Sequence, residues 1–223
     1  MPETPDPPGG GPPSGLSQRR RVARSAKEES YLARRAELVA IAAAIFREKG
    51  YEATTLADIA ERFGTDRASL YYYVGSKEDL FEEAMQGVLD RDVEDAEAIA
   101  RLDLDAGEKL RRLIERQLAS QERNYPFMHL YIQEQMRTVG RGESDWARWM
   151  SAQTRRYEAI VGQVIEAGIE AGTIRADVDV DLLLNGLFGM LNWCHRWFRP
   201  GRPYHAEAIA EGFTRLYLEG ASQ

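Results

Sequence analysis

Apolar residues along this chain recur at helical spacing, and no convincing run alternates as strand residues do. Leu38, Ile41, Ala42, Ile45 and Phe46 stand at i, i+3, i+4, i+7 and i+8, the buried stripe of a first helix that Gly50 is placed to stop. Leu56, Ile59, Ala60 and Phe63 mark a shorter second helix, opened by Thr55 with Asp58 as its capping-box partner and ended by Gly64. Asp66 is a good N-cap for a third helix from Arg67 to about Tyr73, before Val74-Gly75 breaks the chain. Ser76 with Asp79 repeats the capping-box pattern and opens a fourth helix through Leu80, Phe81, Ala84, Met85 and Val88.

The pattern continues past residue 100. Leu110, Leu113, Ile114, Gln117 and Leu118 give one helix, and Pro126 is a natural start for another through Phe127, Leu130, Tyr131 and Glu134. A long helix from about Asp145 carries Trp146, Trp149, Tyr157, Ile160, Val161, Val164 and Ile165 and ends near Gly172. Asp179 or Asp181 opens a strongly apolar helix closed by Pro200-Gly201, and a last one runs from about His205 to Leu218. The fold class is all-α. Three regions are expected: a disordered extension over 1–32, a helix-turn-helix domain over 33–80, and a larger helical ligand-binding and dimerisation domain over 81–223.

Composition changes this picture at the front end. Residues 1–18 are Pro/Gly-rich and offer too little apolar burial to offset their ordering entropy, so they are expected to be disordered. RRRVARSAK, residues 19–27, then brings five positive charges and none negative, and reads either as a solvated tail or as a DNA-binding arm. The whole chain of 223 residues carries a net charge of −7, which at first argues against a polyanionic partner. Residues 1–77, however, hold 12 Lys+Arg against 10 Asp+Glu, whereas residues 78–223 hold 17 against 26. The body is acidic and the front relatively basic, and local sign decides how a polyanion is steered.

Other chemistry is sparse. His129, His195 and His205 are scattered, with no zinc-ligand spacing, so no metal and no cofactor is expected. There is no Gly-rich phosphate loop, no G-x-S-x-G and no clustered nucleophile and base, so the chain is not read as an enzyme. An all-helical enzyme with a vestigial front domain is the competing class. Cys194 is the only cysteine, and no apolar run has membrane-spanning length. A cytoplasmic protein without a membrane partner is the expectation.

Two short helices joined by a Gly-containing turn form the helix-turn-helix signature, and the run Tyr71-Tyr72-Tyr73 sits in its second member. Leu70, Tyr73 and Val74 share one face and can close a small core against Ile59 and Phe63. Arg67, Ala68, Ser69, Tyr71 and Tyr72 are rotated outward, with Lys77 at the next helix start. Such a set suits a DNA groove: arginine to a guanine edge, alanine to a thymine methyl, and hydroxyls and lysine to phosphates.

TTLADIAERFGTDRASLYYYVGSKEDLFEEAM resembles the N-terminal domain of the TetR family of transcriptional regulators, through Thr55, Ile59, Ala60, Gly64, Leu70, Tyr71, Tyr73, Ser76, Lys77 and Leu80. It departs from that pattern at Phe63 for the usual Ala, Thr65-Asp66 for Val-Ser, Ala68 for Gly and Val74 for Phe. By this resemblance Thr55, Ser69, Tyr72, Tyr73 and Lys77 correspond to phosphate-contacting positions, and Arg67, Ala68 and Tyr71 to positions that reach bases. The resemblance also implies a homodimer on a pseudo-palindromic operator, a C-terminal ligand pocket, and repression relieved by a small molecule.

In the body, Phe127, Tyr131, Trp146, Trp149, Met150, Phe188 and Trp193 could line a pocket for a largely apolar effector, with Gln135 and Asn192 to orient it. Trp197 is expected in the core or at the dimer interface; Arg196 and Arg199, near a helix C-terminus, can complement its dipole, and arginines near the helix ends could meet an anionic head. Leu182–Phe198 is apolar on nearly every face, so the last two helices are the expected dimer interface. NWCHRWFRPGRP, residues 192–203, is similar to the C-terminal region of actinobacterial TetR-type regulators of sterol and fatty-acid catabolism. That resemblance implies an acyl-CoA effector; a multidrug sensor of the same fold is the alternative.

Overall fold

The computed structural model describes residues 15–125, 128, 144–201 and 203–221, with side chains from residue 25 to 220. Eight α-helices are described: α1 Gly15–Lys49, α2 Leu56–Phe63, α3 Arg67–Leu70, α4 Lys77–Ala100, α5 Ala106–Arg123, α6 Asp145–Glu170, α7 Val180–Trp193 and α8 Ala206–Ala221. A single 3₁₀ turn, Cys194–Arg196, follows α7, and there is no β-strand among the described residues. The helix expected from Pro126 lies outside them, as do Phe127, Tyr131 and Gln135.

The predicted boundaries are reproduced where a cap sets them. Gly50, Gly64 and Gly172 all adopt positive φ just past a helix, the left-handed stop that side chains with a Cβ avoid. Thr55 and Ser76 both form full capping boxes, and Asp66, Asp105, Ser144 and Asp179 accept from the backbone of their first turns. The front end differs from expectation. Residues 15–32 fall in the expected disordered extension, yet α1 is continuous from Gly15. Between Leu16 and Lys49 there is no Gly or Pro, and Ala, Arg, Glu and Lys dominate. Strong helix formers therefore carry the helix past its buried stripe. Residues 1–14 lie outside the described part.

Two cores form. One holds Leu38, Ile45, Phe46, Ile59, Leu70, Leu80 and Met85, all but free of solvent, and unites α1 to α3 with the first half of α4. The other gathers Leu110, Ile114, Leu118, Val161, Ile165, Leu187, Leu191 and Tyr217 from α5 to α8 with Val93 and Ala96 of α4. The boundary expected at residue 80 thus falls inside a helix that serves both units. At 24 residues, α4 is a rod about 36 Å long, at roughly 1.5 Å per residue. The start of α6 also crosses over, since Met150 is buried in the first core with Trp146 and Trp149 against it.

One close approach fixes α6 against α5. A Cβ on Gly168 would lie 2.7 Å from the Ala106 Cβ and 2.6 Å from Ile174 Cδ1. Gly168→Ala is therefore expected to destabilise by about 1–2 kcal/mol, overpacking outweighing the better helix propensity of alanine. Urea unfolding checks it: an unchanged or higher midpoint would mean the two helices separate freely.

Candidate nucleic-acid interface and effector cavity

The exposed surface of the helix-turn-helix is assembled by its caps. Thr55 Oγ accepts from the Asp58 N–H at 3.2 Å, while the Thr55 N–H donates to Asp58 Oδ2 at 2.7 Å. Gly64 turns the chain, and Asp66 accepts from the Ser69 N–H at 2.8 Å and from the Ser69 hydroxyl at 2.9 Å. These bonds hold the Asp66 carboxyl below the usual carboxylate range. Its negative charge on this turn is an electrostatic cost against phosphates, confined to the cap.

The third helix is shorter than expected. It ends at Leu70, and residues 71–73 form a turn, with the Tyr73 and Val74 N–H groups donating to the Leu70 carbonyl at 2.9 and 3.3 Å. The facing of the side chains is nonetheless as read from the spacing. Leu70 and Val74 are buried, Tyr73 is half-buried, and Arg67, Ala68, Ser69, Tyr71 and Tyr72 are exposed, Tyr72 at 66%. Arg67 donates to the Tyr71 hydroxyl at 3.3 Å, which aligns the two side chains.

Lys77 and Thr55 are less free than expected. Lys77 is half-buried, donates to the Tyr51 carbonyl at 3.0 Å and lies 4.2 Å from the centroid of the Tyr51 ring. Tyr51 in turn donates to Glu78 at 2.8 Å, and burial, then Glu78, pushes its hydroxyl pKa well up. The Thr55 hydroxyl is exposed but donates to Asp58 at 2.7 Å.

Sequence reasoning missed the buttress behind the tyrosines. Tyr31 stacks on Tyr73 with ring centroids 5.5 Å apart and meets Tyr72 edge-on at 5.6 Å. Arg35 donates to the Tyr73 carbonyl at 3.2 Å and pairs with Glu83 of α4 at 2.7 Å. The signal was present, because Tyr31, Arg34, Arg35 and Leu38 extend the i, i+3, i+4, i+7 spacing backward from the apolar stripe.

In the body, a cavity of about 90 Å³ lies between α4, α5, α6 and α7. Of the expected pocket residues that are described, Phe188 and Asn192 line it, with Leu89, Val93, Gln121 and Tyr157 among the additional walls. Trp146, Trp149 and Met150 do not reach it. The two indoles stack at 5.2 Å and pack with Met150 against the first core, because the first turns of α6 run alongside that core. Trp193 is 58% exposed, with the Arg196 guanidinium 5.2 Å from its ring centroid, and Arg199 donates to the Phe198 carbonyl at 2.7 Å. Neither arginine lines the cavity. Cys194 is fully buried, and that burial pushes its thiol up to about 12, in keeping with a small core residue.

Two polar features of the cavity stand out. Gln153 Oε1 is a buried acceptor with no hydrogen-bond partner among the described residues. Asp92 accepts from the Ser120 hydroxyl at 2.9 Å, yet desolvation raises it from 3.8 to about 6, offset only in part by Ser120, Arg123 and Arg116. No group of three or more His, Cys, Asp or Glu suited to a metal occurs among the described residues. No described helix is long and apolar enough to cross a membrane.

Residues 38–84 match the family model for bacterial regulatory proteins of the tetR family, and residues 103–221 match that of the tetracyclin repressor-like C-terminal domain. The chain belongs to the TetR family. A curated relative, the HTH-type transcriptional repressor KstR2 of Mycobacterium tuberculosis strain H37Rv, is 31% identical over 196 residues, 85% of this chain and 94% of its own. The solved structure of the M. tuberculosis ketosteroid transcriptional regulator KstR2 superposes with a TM-score of 0.70 at 29% identity, covering 85% of this chain and 95% of its own. PfmR, a TetR family regulator from Thermus thermophilus, gives 0.69 at 33% identity over 83% of this chain and 99% of its own. AibR, solved with isovaleryl coenzyme A and operator DNA, shares the fold at a TM-score of 0.66 and 22% identity, over 82% and 97%.

Within the TetR pattern, the departure at Phe63 now has a physical account. The Arg34 guanidinium lies 4.2 Å from the Phe63 ring centroid, and Tyr73 meets that ring edge-on at 5.8 Å. The larger side chain is thus accommodated by the extended part of α1. Val74, where the TetR pattern has Phe, is buried at 5%.

Proposed function

We propose that this TetR-family regulator is a transcriptional repressor that binds a pseudo-palindromic operator as a homodimer and is released by an effector with an apolar chain and an anionic head, an acyl-CoA. The exposed Arg67, Ala68, Ser69, Tyr71 and Tyr72 set on a doubly capped helix-turn-helix carries this reading. Arg67, Ala68 and Tyr71 are assigned to bases, and Thr55, Ser69, Tyr72, Tyr73 and Lys77 to phosphates. Such a protein works where the chromosome is, in the bacterial cytoplasm.

Dimerisation is supported by the exposed sides of α7 and α8. Leu182, Gly186, Gly189 and Trp193 lie along one face of α7, and Ala208, Gly212 and Leu216 along one of α8, with Leu182 66% and Leu216 68% exposed. Large apolar groups interleaved with glycines allow close helix approach, and a second copy would complete a four-helix interface. Ligand entry has a mechanical consequence. The cavity measures about 90 Å³, below the roughly 300 Å³ of ordinary small-molecule sites, and effector entry is expected to push its helices apart. Since α4 runs from this cavity into the DNA-binding core, that displacement changes the separation of the two recognition elements. Half-sites lie about 34–36 Å apart in dimeric helix-turn-helix proteins, and a shift of a few ångströms would break simultaneous docking.

The effector class rests on the apolar cavity and on relatives: KstR2 is a ketosteroid regulator, and AibR was solved with isovaleryl coenzyme A. The expected result is that a broad acyl-CoA panel changes tryptophan fluorescence and releases the protein from its own upstream DNA over one concentration range, while free CoA does neither. Silence across the panel, with drug-like aromatic cations active, would make it a multidrug sensor. No binding to that DNA at all would remove the regulator reading of this locus.

A further inference from the structure

A second cavity, of about 640 Å³, opens where the end of α1 meets the middle of α4 and the last turns of α5. Arg47, Arg91, Arg116 and Arg123 line it, against Asp92 and Asp95. Arg116 is committed to Asp95 at 2.5 Å, but Arg47, Arg91 and Arg123 form no ion pair within 4.0 Å among the described residues. Four guanidiniums from three helices against two carboxylates make a positive cleft in a chain whose net charge is −7. Guanidiniums that outnumber the carboxylates of one cleft offer charge-assisted hydrogen bonds to a polyanion.

The cleft also adjoins the apolar cavity: Asp92 is a wall of both. The two cavities thus lie on either side of the Asp92 carboxyl, and a molecule with its apolar end among Phe188, Tyr157 and Val93 would reach the arginines by displacing that side chain. The unpartnered Gln153 Oε1 faces the apolar side, where an amide N–H of a connecting arm would satisfy it. We infer that the cleft of Arg47, Arg91 and Arg123 receives the phosphate-bearing end of the effector, whose apolar end occupies the neighbouring cavity. This rests on the acyl-CoA reading above and gives it a location, distinct from Arg196 and Arg199. It adds a regulatory consequence. Arg47 belongs to the DNA-binding unit and Arg123 to the body, so one polyanion would clamp the two units together.

Calorimetric titration of the full-length protein tests this, with sodium pyrophosphate, an acyl-CoA panel and the matching phosphate-free acyl-pantetheines as probes. In Arg91→Ala/Arg123→Ala, acyl-CoA affinity should fall about tenfold per arginine lost. Affinity for acyl-pantetheine should stay unchanged, and Arg91→Lys should keep most of the affinity; the melting temperature should fall slightly, because Arg123 offsets part of the desolvation of Asp92. Pyrophosphate should bind the wild type weakly and the double variant not at all. If the double variant binds acyl-CoA like wild type, the cleft is not the phosphate seat, and the effector reading survives. If no acyl-CoA binds but pyrophosphate binds in an arginine-dependent way, the anion site stands and the acyl-CoA reading falls. If neither probe binds the wild type, both are overturned.

Discussion

Arg67→Ala is expected to lower discrimination between the operator and unrelated DNA by about 1–3 kcal/mol, the loss typical of one bidentate base contact. Nothing in the fold depends on this side chain, which is exposed and, among the described residues, bonded only to the Tyr71 hydroxyl. Tyr71→Phe should act in the same direction with a smaller effect, since it removes that hydroxyl and leaves the ring. Lys77→Ala should behave differently, weakening all sequences alike and reducing the salt slope by about one, as a lost phosphate contact does. Lys77 must first leave the Tyr51 carbonyl, so its contribution is net of that bond. Gel-shift titrations on specific and scrambled duplexes at several salt concentrations separate these outcomes. Equal specificity ratios in Arg67→Ala and wild type would assign base reading to a different surface.

Asp92→Asn should stabilise the protein by about 1–3 kcal/mol at pH 7.5, an advantage that vanishes near pH 4. Folded Asp92 keeps its proton up to about 6, whereas in the unfolded chain it is released near 3.8. Between these values the unfolded state binds fewer protons, so stability falls as pH rises through the window, and the cost persists above it. Asparagine carries no such cost and can still accept from the Ser120 hydroxyl, now at 2.9 Å from Asp92. Chemical unfolding of both proteins at pH 4, 6 and 7.5 reads the difference directly. A variant less stable than wild type at pH 7.5 would mean that Arg123 and Arg116 outweigh desolvation.

Much of the DNA-binding unit was legible because its determinants are local. Thr55 with Asp58, Ser76 with Asp79, Asp66, and Gly64 act within four residues of themselves, so their caps and stops can be read from a short window. The helical period likewise fixes that Leu70 and Val74 turn inward while Tyr71 and Tyr72 turn outward. The end of the third helix at Leu70 was not local in this sense. Tyr73 is held by Tyr31 and Arg35, some forty residues earlier in the chain, and these contacts accompany the turn at residues 71–73.

The body shows the limit more sharply. Apolar periodicity marks α5 to α8 as helices with buried faces, since a stripe must be covered by something, but it cannot say by what. Trp146, Trp149 and Met150 suit a pocket wall by the same chemistry that makes them suitable cover for the DNA-binding core, and the path of α6 decides between the two. Gln153, Asp92 and the arginines at 47, 91, 116 and 123 are ordinary polar helix residues in sequence. Only packing placed an unpartnered acceptor and a desolvated carboxyl in one cavity, and the arginines around the next. The sequence by itself determined the helices, their caps and the outward face of the helix-turn-helix, because these depend on neighbours a few residues away. The tertiary structure alone decided which helices share a cavity and which charges lose their water, because both depend on surfaces brought together from distant parts of the chain.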